Sequence, residues 1–154
     1  MKRYQIEFRH YKLSILLTVF LLLSSTGYAQ NQSELAAVVQ TCIDLQELQD
    51  YFPMDQNGIK KAAVVMQRDI SLPADLAVMK FNQPLKLMSR GEIVNNMTDT
   101  YFMFNKLNIN VPTALAEFVL VHGGMENPVY TEVSLQLKKT GDIWQITQKS
   151  IKTL

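Results

Sequence analysis

The clearest pattern of hydrophobic and polar positions lies near the end of the chain, between residues 113 and 152. From Val129 to Lys139 apolar and polar residues alternate, which places one set on a buried face and the other in water. Gly141-Asp142 then suits a tight hairpin, because glycine supplies the positive φ that such a turn needs. The pattern predicts three successive antiparallel strands, Thr113–Val121, Val129–Lys139 and Ile143–Lys152.

A fourth strand is predicted over Thr100–Asn108, so that the last third of the chain would form an antiparallel meander. Aromatic side chains are concentrated in this strand. Tyr101, Phe102 and Phe104, together with Tyr130, are candidates to line a pocket on a curved sheet, although aromatic residues on strands more often belong to the core. A meander with one apolar face needs a cover.

The predicted cover is one long helix that begins near Leu35 and continues to about Tyr51. Apolar residues recur there at spacings of three and four, which forms one stripe along a helix. The stripe consists of Leu35, Val38, Val39, Cys42, Leu45, Leu48 and Phe52. The fold class expected is therefore α+β, with an N-terminal helix packed on a twisted antiparallel sheet that ends in a strand meander.

The part of the chain between this helix and the meander predicts only short elements. A strand is favoured within Lys60–Gln67, and two more are expected over Ala77–Phe81 and Leu85–Met88. Pro73 and Pro84 suggest edge positions or turns rather than central strands, because proline cannot donate to a β-ladder. Ser89-Arg90-Gly91-Glu92 is a capping box that opens a short helix.

The first 29 residues have the composition of a secretory signal peptide. A basic beginning precedes the uncharged apolar run Leu13–Leu23, and Gly27-Tyr28-Ala29 is a small-x-small cleavage site. Eleven apolar residues are fewer than the roughly 20 that span a bilayer, so a retained membrane anchor is disfavoured. We expect removal of residues 1–29, a single α+β domain over residues 30–154, and a periplasmic or extracellular location without membrane attachment.

Composition excludes some classes of function for the expected mature chain. It would carry 11 Lys+Arg and 13 Asp+Glu, a net charge of −2, whereas a nucleic-acid-binding domain normally shows a basic excess. Cys42 is the single cysteine, so no intramolecular disulfide can form. Cys42 on the apolar stripe and Trp144 in the last hairpin are interpreted as core residues.

Three residues are weak catalytic candidates. His122 stands beside Gly123-Gly124 at a strand end, where it is either a base or ligand or an ordinary loop histidine. It is the one histidine of the expected mature chain, so a zinc site of the usual composition is not predicted, and neither is any other metal or cofactor. Glu117 is either a carboxylate with a raised pKa among apolar neighbours or, as we favour, a residue on the solvent face. Tyr101 is the third candidate.

The order of elements and the ending Lys-Lys-x-Gly-Asp-Ile-Trp-Gln-Ile resemble the cystatin-like and nuclear-transport-factor-2-like α+β superfamily. The resemblance extends over Thr100–Lys152 and, more loosely, Ser33–Phe52. It implies a cone-shaped pocket that serves isomerases, dehydratases and binding modules alike. Enzymatic members carry an Asp/His or Asp/Tyr pair in the pocket, which has no match here.

These observations favour a non-catalytic exported domain that binds an unknown small ligand or protein partner, and they leave a homodimer open. One alternative is a small isomerase-like or dehydratase-like enzyme of the same fold, with His122, Glu117 and Tyr101 as its residues. Another is an assembly component that adds a strand at an exposed sheet edge within Ala77–Met88.

Overall fold

A computed structural model describes residues 31–154 of the chain. A helix, α1, includes residues 31–43, and a 3₁₀ helix over Gln46–Tyr51 follows it. The strands are β1 (Val64–Met66), β2 (Met79–Lys80), β3 (Gln83–Pro84), β4 (Lys86–Met88), β5 (Tyr101–Asn110), β6 (Thr113–His122), β7 (Val129–Thr140) and β8 (Ile143–Thr153). A short helix, α2 (Arg90–Asn95), lies between β4 and β5 and carries the predicted capping box, with Ser89 and Glu92 bonded reciprocally.

The main sheet has six strands in the order β4-β1-β5-β6-β7-β8, and β2 and β3 form a separate two-stranded sheet. Strands β5 to β8 pair antiparallel in succession, so the predicted meander and the Gly141 hairpin, with φ +62°, are confirmed. The prediction of an entirely antiparallel sheet is wrong, because β1 pairs parallel with both β4 and β5. The fold is therefore a mixed α+β arrangement.

Parallel pairing explains why β1 has no alternating pattern. All three of its residues, Val64, Val65 and Met66, are buried, as expected for a strand covered on both faces. Parallel neighbours also need crossover connections of a dozen or more residues. Residues 67–85 connect β1 to β4, and residues 89–100, which include α2, connect β4 to β5.

The larger core lies between the meander and the N-terminal segment. Val38, Val39, Cys42 and Ile43 belong to the same buried cluster as Phe118, Leu120 and Leu135 of the sheet, and Trp144 is part of it at 5% exposure. Six of the seven predicted stripe residues are buried, Leu35 being partly exposed. The predicted cover and the core roles of Cys42 and Trp144 are therefore confirmed. Burial raises the pKa of the Cys42 thiol to about 12.

The predicted single helix to Tyr51 is wrong, because the helical residues end at 43 and Leu45 has an extended conformation with ψ 126°. The chain then resumes as the 3₁₀ helix. This break changes the direction of the segment while Leu45 and Leu48 both stay buried in the same cluster. A spacing of three residues is common to α-helical and 3₁₀ stripes, so the pattern alone did not separate them.

A smaller apolar cluster occupies the other face of the sheet. Val64 and Met66 of β1 contact Ile93 of α2, with Met88, Tyr101 and Met103 packed around them. The crossover helix α2 therefore lies on the face of the sheet opposite the main core. The rest of that face is not covered by a helix within residues 31–154.

The β2–β3 hairpin is fastened to α1 by side chains. Gln40 bonds both to the backbone nitrogen and to the carbonyl of Met79. Lys80, only 5% exposed, donates from Nζ to Asp44 Oδ1 at 2.8 Å and lies 5.0 Å from the ring centre of Phe81. The predicted strand Ala77–Phe81 is thus reduced to Met79–Lys80 and lies outside the main sheet, where it forms this hairpin.

The two edges of the main sheet are β4 and β8. The edge position predicted near Pro84 is confirmed for Lys86–Met88, which is only three residues long. The long edge strand β8 has a β-bulge at Thr147, between the pairs Leu137–Ile146 and Gln136–Gln148. Lys149, opposite Leu135, forms an ion pair with Glu47 of the 3₁₀ helix.

Residues 35–154 form one compact unit, and residues 31–34 belong to a separate first unit. The predicted signal peptide at residues 1–29 lies outside the described residues. Within residues 31–154 no helix is long and apolar enough to cross a membrane.

Candidate binding site

A groove of about 460 Å³ lies on the face of the sheet that carries α2. Its floor consists of side chains from four neighbouring strands of the sheet: Met66 of β1, Tyr101 and Met103 of β5, Val121 of β6 and Tyr130 of β7. Helix α2 provides one side, and the loop after β6, including Gly124, Met125 and Pro128, provides another. The volume falls in the range of about 300–1,000 Å³ that is usual for small-molecule sites.

Three hydrogen-bond donors converge in this groove. The Tyr101 hydroxyl is close enough to Tyr130 and to Arg90 for both to act on its ionisation. Burial raises the pKa of Tyr101, Tyr130 adds to the rise, and the positive charge of Arg90 opposes it. Tyr101 is therefore protonated at neutral pH and available as a donor.

Methionine is prominent among the apolar residues of the groove. Three of the eight methionines in the sequence, Met66, Met103 and Met125, line it. Met125 is 49% exposed and Tyr130 is 40% exposed, so apolar surface is open to solvent here. Methionine side chains are flexible and polarisable, which lets such a surface adapt to ligands of different shape.

The two arginines at the groove differ in whether they already form an ion pair. Arg68 Nε lies 3.5 Å from Asp69 Oδ1, so its charge already has a partner. Arg90, at the start of α2, forms no ion pair with another residue of the described range 31–154. Asp99 contributes the one carboxylate of the lining. The groove thus offers one uncommitted guanidinium group beside two tyrosine hydroxyls.

A second cavity of about 400 Å³ lies on the other side of the segment 96–100. Lys60, Lys61 and Lys86 line it together with Asp55 and Asp99. Lys60 is already engaged, because its Nζ donates to the carbonyl of Gln49 at 2.6 Å. The lining of this cavity is mixed in character, with Phe52, Ile59 and Val64 among its apolar residues, so it is a second candidate for a small-molecule site.

His122 does not lie in the groove. It is 8% exposed on the core face of the sheet, and its ring stacks on Tyr51 with the centres 4.0 Å apart. Nε2 is 3.0 Å from Thr131 Oγ1, which in turn is 3.1 Å from Thr153 Oγ1. Burial lowers the pKa of His122. The histidine thus joins the ends of β6, β7 and β8 through hydrogen bonds that lead from the buried Thr131 to the exposed Thr153.

The three predicted catalytic candidates are not brought together. Glu117 is on the groove face of β6 but is 43% exposed and 3.8 Å from Lys106 Nζ, in agreement with the favoured solvent-face interpretation. Tyr101 pairs with Val121, four residues along β6 from Glu117, a separation of about 13 Å. His122 is on the opposite face from both.

The sequence had indicated only part of the groove. Tyr101 and Tyr130 were among the four aromatic candidates and do line it, whereas Phe102 and Phe104 are in the main core. Arg90, Met103 and Met125 were not anticipated. For Met103 a sequence signal did exist. It alternates with Phe102 and Phe104 along the strand, so it lies on the same face as Tyr101.

Residues 31–154 contain no group of three or more His, Cys, Asp and Glu side chains arranged to hold a metal ion. No protein-family model, no curated protein and no solved structure matches this chain.

Proposed function

We propose that this protein is an exported, non-catalytic binding domain whose ligand site is the groove between α2 and the loop after β6. The single observation that carries the proposal is the combination of an apolar lining, exposed to solvent at Met125, with donors from Tyr101, Tyr130 and Arg90. Concave apolar sites with a few placed polar groups are the usual form of small-molecule sites. Export rests on the signal-like pattern of residues 1–29.

Binding is favoured over catalysis by the state of the titratable groups. A general base needs a pKa near the working pH and an oriented partner. In the groove the pKa of Tyr101 is raised, which makes it a donor and a poor base or nucleophile. His122, the better base, is held in the core by Thr131 and Tyr51. The enzyme alternative gains no support from this arrangement.

The likeness to the cystatin-like and nuclear-transport-factor-2-like superfamily stays a proposal about the fold. A helix over an antiparallel meander with a terminal hairpin supports it. The parallel strand β1 between β4 and β5 is a departure that the resemblance did not imply.

The assembly alternative is less well supported than the groove. The β4 edge is three residues long, which leaves little backbone for an added strand. The β8 edge is longer, but it is interrupted by the bulge at Thr147.

Methyl NMR of the purified protein with carbon-13 at the methionine methyl groups tests the proposal. Addition of decanol, a neutral apolar probe, should shift the signals of Met66, Met103 and Met125. The signals of Met54 and Met79, which are exposed elsewhere on the surface, serve as internal controls and should stay in place.

Native mass spectrometry of the protein, purified gently from the cells that make it, provides a second readout. A mass excess of a small molecule is the expected result. A bare mass together with unchanged methionine signals would overturn the proposed function.

A further inference from the structure

The groove has a donor-rich end beside an apolar floor, and this asymmetry specifies the chemistry of its ligand. Tyr101, Tyr130 and Arg90 all present donors, and the guanidinium of arginine can only donate. Donors of this kind are matched by an acceptor that carries negative charge, because charge-assisted hydrogen bonds are stronger than neutral ones.

The charge of the ligand is limited by the other groups of the groove. Arg68 is already paired with Asp69, and Asp99 adds a negative charge to the lining. Arg90 is therefore the one cation of the groove lining that has no carboxylate within ion-pair distance among residues 31–154. A headgroup with a single negative charge fits this balance, whereas a dianion such as a phosphate monoester would face Asp99 without a second free cation.

The size and composition of the floor specify the rest of the molecule. Met66, Met103 and Val121 are apolar and contiguous, so a ligand body without polar atoms is favoured there. A volume of about 460 Å³ is at the lower end of the range for small-molecule sites, which suits one acyl chain better than the two chains of a membrane lipid.

We propose that the groove binds a single-chain carboxylate, with its acyl chain on the methionine floor and its carboxylate against Arg90, Tyr101 and Tyr130. This inference rests on the proposed function and goes further by naming the class of ligand. Arg90 confers the preference for a charged headgroup, and the floor supplies affinity for the chain.

The test compares dodecanoate with dodecanol by isothermal titration calorimetry, below the concentrations at which either aggregates. These probes share the alkyl chain and differ at the headgroup. We expect the protein to bind dodecanoate about tenfold more tightly, the order expected for one partly exposed charge-assisted contact. Arg90→Gln should abolish this difference by weakening dodecanoate about tenfold, while dodecanol binding changes less than about twofold.

Lys152→Gln is the matched control. Lys152 is an exposed cation on β8 that pairs with Glu132 of β7. Glu132 lies on the same sheet face as Tyr130, and Lys152 does not line the groove. Its substitution removes the same charge from the protein and should leave the dodecanoate preference intact. An equal loss in both variants would mean that net charge, and not a contact with Arg90, sets the preference, and would overturn the inference.

Two further outcomes separate the inference from the proposed function. Equal affinity of the unsubstituted protein for dodecanoate and dodecanol would overturn the carboxylate inference while the binding groove still stands. Absence of dodecanoate binding would also overturn the inference, and the decanol shifts at Met66, Met103 and Met125 would then decide the proposed function independently. Dodecanoate binding that leaves these three methyl signals unchanged would place the ligand elsewhere and overturn the inference as well.

Discussion

Lys80 and Asp44 form an ion pair whose two members have very different environments, and this difference makes an unequal mutational response predictable. Lys80 is 5% exposed and Asp44 is 50% exposed, with Nζ and Oδ1 2.8 Å apart. The rings of Phe81 and Phe52 lie 5.0 and 5.8 Å from the ammonium group. Removal of Asp44 leaves a buried cation without its carboxylate, whereas removal of Lys80 leaves a carboxylate that water can reach.

Asp44→Ala should therefore destabilise the fold by about 2–3 kcal/mol, since loss of one partner of a fully buried pair costs about 3–5 kcal/mol and water partly replaces the exposed carboxylate here. Lys80→Met keeps an apolar stem beside the two rings and deletes the buried charge, so its effect should stay within about 1 kcal/mol. The double variant should resemble Lys80→Met, because without the ammonium group there is no buried charge to compensate.

Urea unfolding followed by Trp144 fluorescence measures these differences, with an unchanged m-value as the sign that the unfolding transition itself is the same. Glu117→Gln is the control for an exposed pair, because Lys106 and Glu117 are 45% and 43% exposed, and it should change stability by less than about 0.5 kcal/mol. A Lys80→Met variant that is as unstable as Asp44→Ala would refute the argument, since the ammonium group would then be a net contributor to stability.

Three other outcomes follow from the buried groups. Trp144→Ala should cost about 3–5 kcal/mol in urea unfolding followed by circular dichroism, because the side chain is 5% exposed, and a loss below about 1 kcal/mol would contradict its role as a core anchor. Cys42, whose thiol pKa is raised to about 12, should resist a thiol reagent at pH 8 in the folded protein and react on unfolding. The pKa of His122 is lowered in the folded state, so the unfolded chain binds the proton more readily below its ordinary pKa of about 6.5. The contribution of His122 to the free energy of unfolding should be complete above that pH and decline as the pH falls through the folded pKa. His122→Gln retains a group that can bond to Thr131. This variant should flatten the pH dependence of the free energy of unfolding, measured between about pH 5 and 7.5.

The strands that could be predicted from the sequence are those whose two faces differ in burial, because that difference produces an alternation of apolar and polar residues. Along β7 one face is buried and the other is largely in water, so residues such as Val133 and Ser134 alternate along the strand. Strand β1 has no such alternation, because both faces of Val64–Met66 are covered. Its parallel neighbours are set by crossover connections, and these depend on contacts far apart in the chain.

The same distinction explains what could be predicted of the groove. Tyr101 and Tyr130 lie on strands whose alternation is visible, so their shared face was open to inference. Arg90 comes to that face only because α2 crosses over β1 between two parallel strands. No spacing in the sequence reports this placement, and the donor cluster therefore appears only in three dimensions.

The C-terminal strand has a consequence for how the folded protein behaves among copies of itself. A straight, flat and apolar edge would be a template on which another chain could add strand after strand. Here the extra residue at Thr147 bends the edge strand. The ammonium group of Lys149, paired with Glu47, also places a charge beside the edge at which a further chain would add. Although β8 is eleven residues long, its bulge and its charged side chain oppose the addition of a further strand at this edge of the sheet.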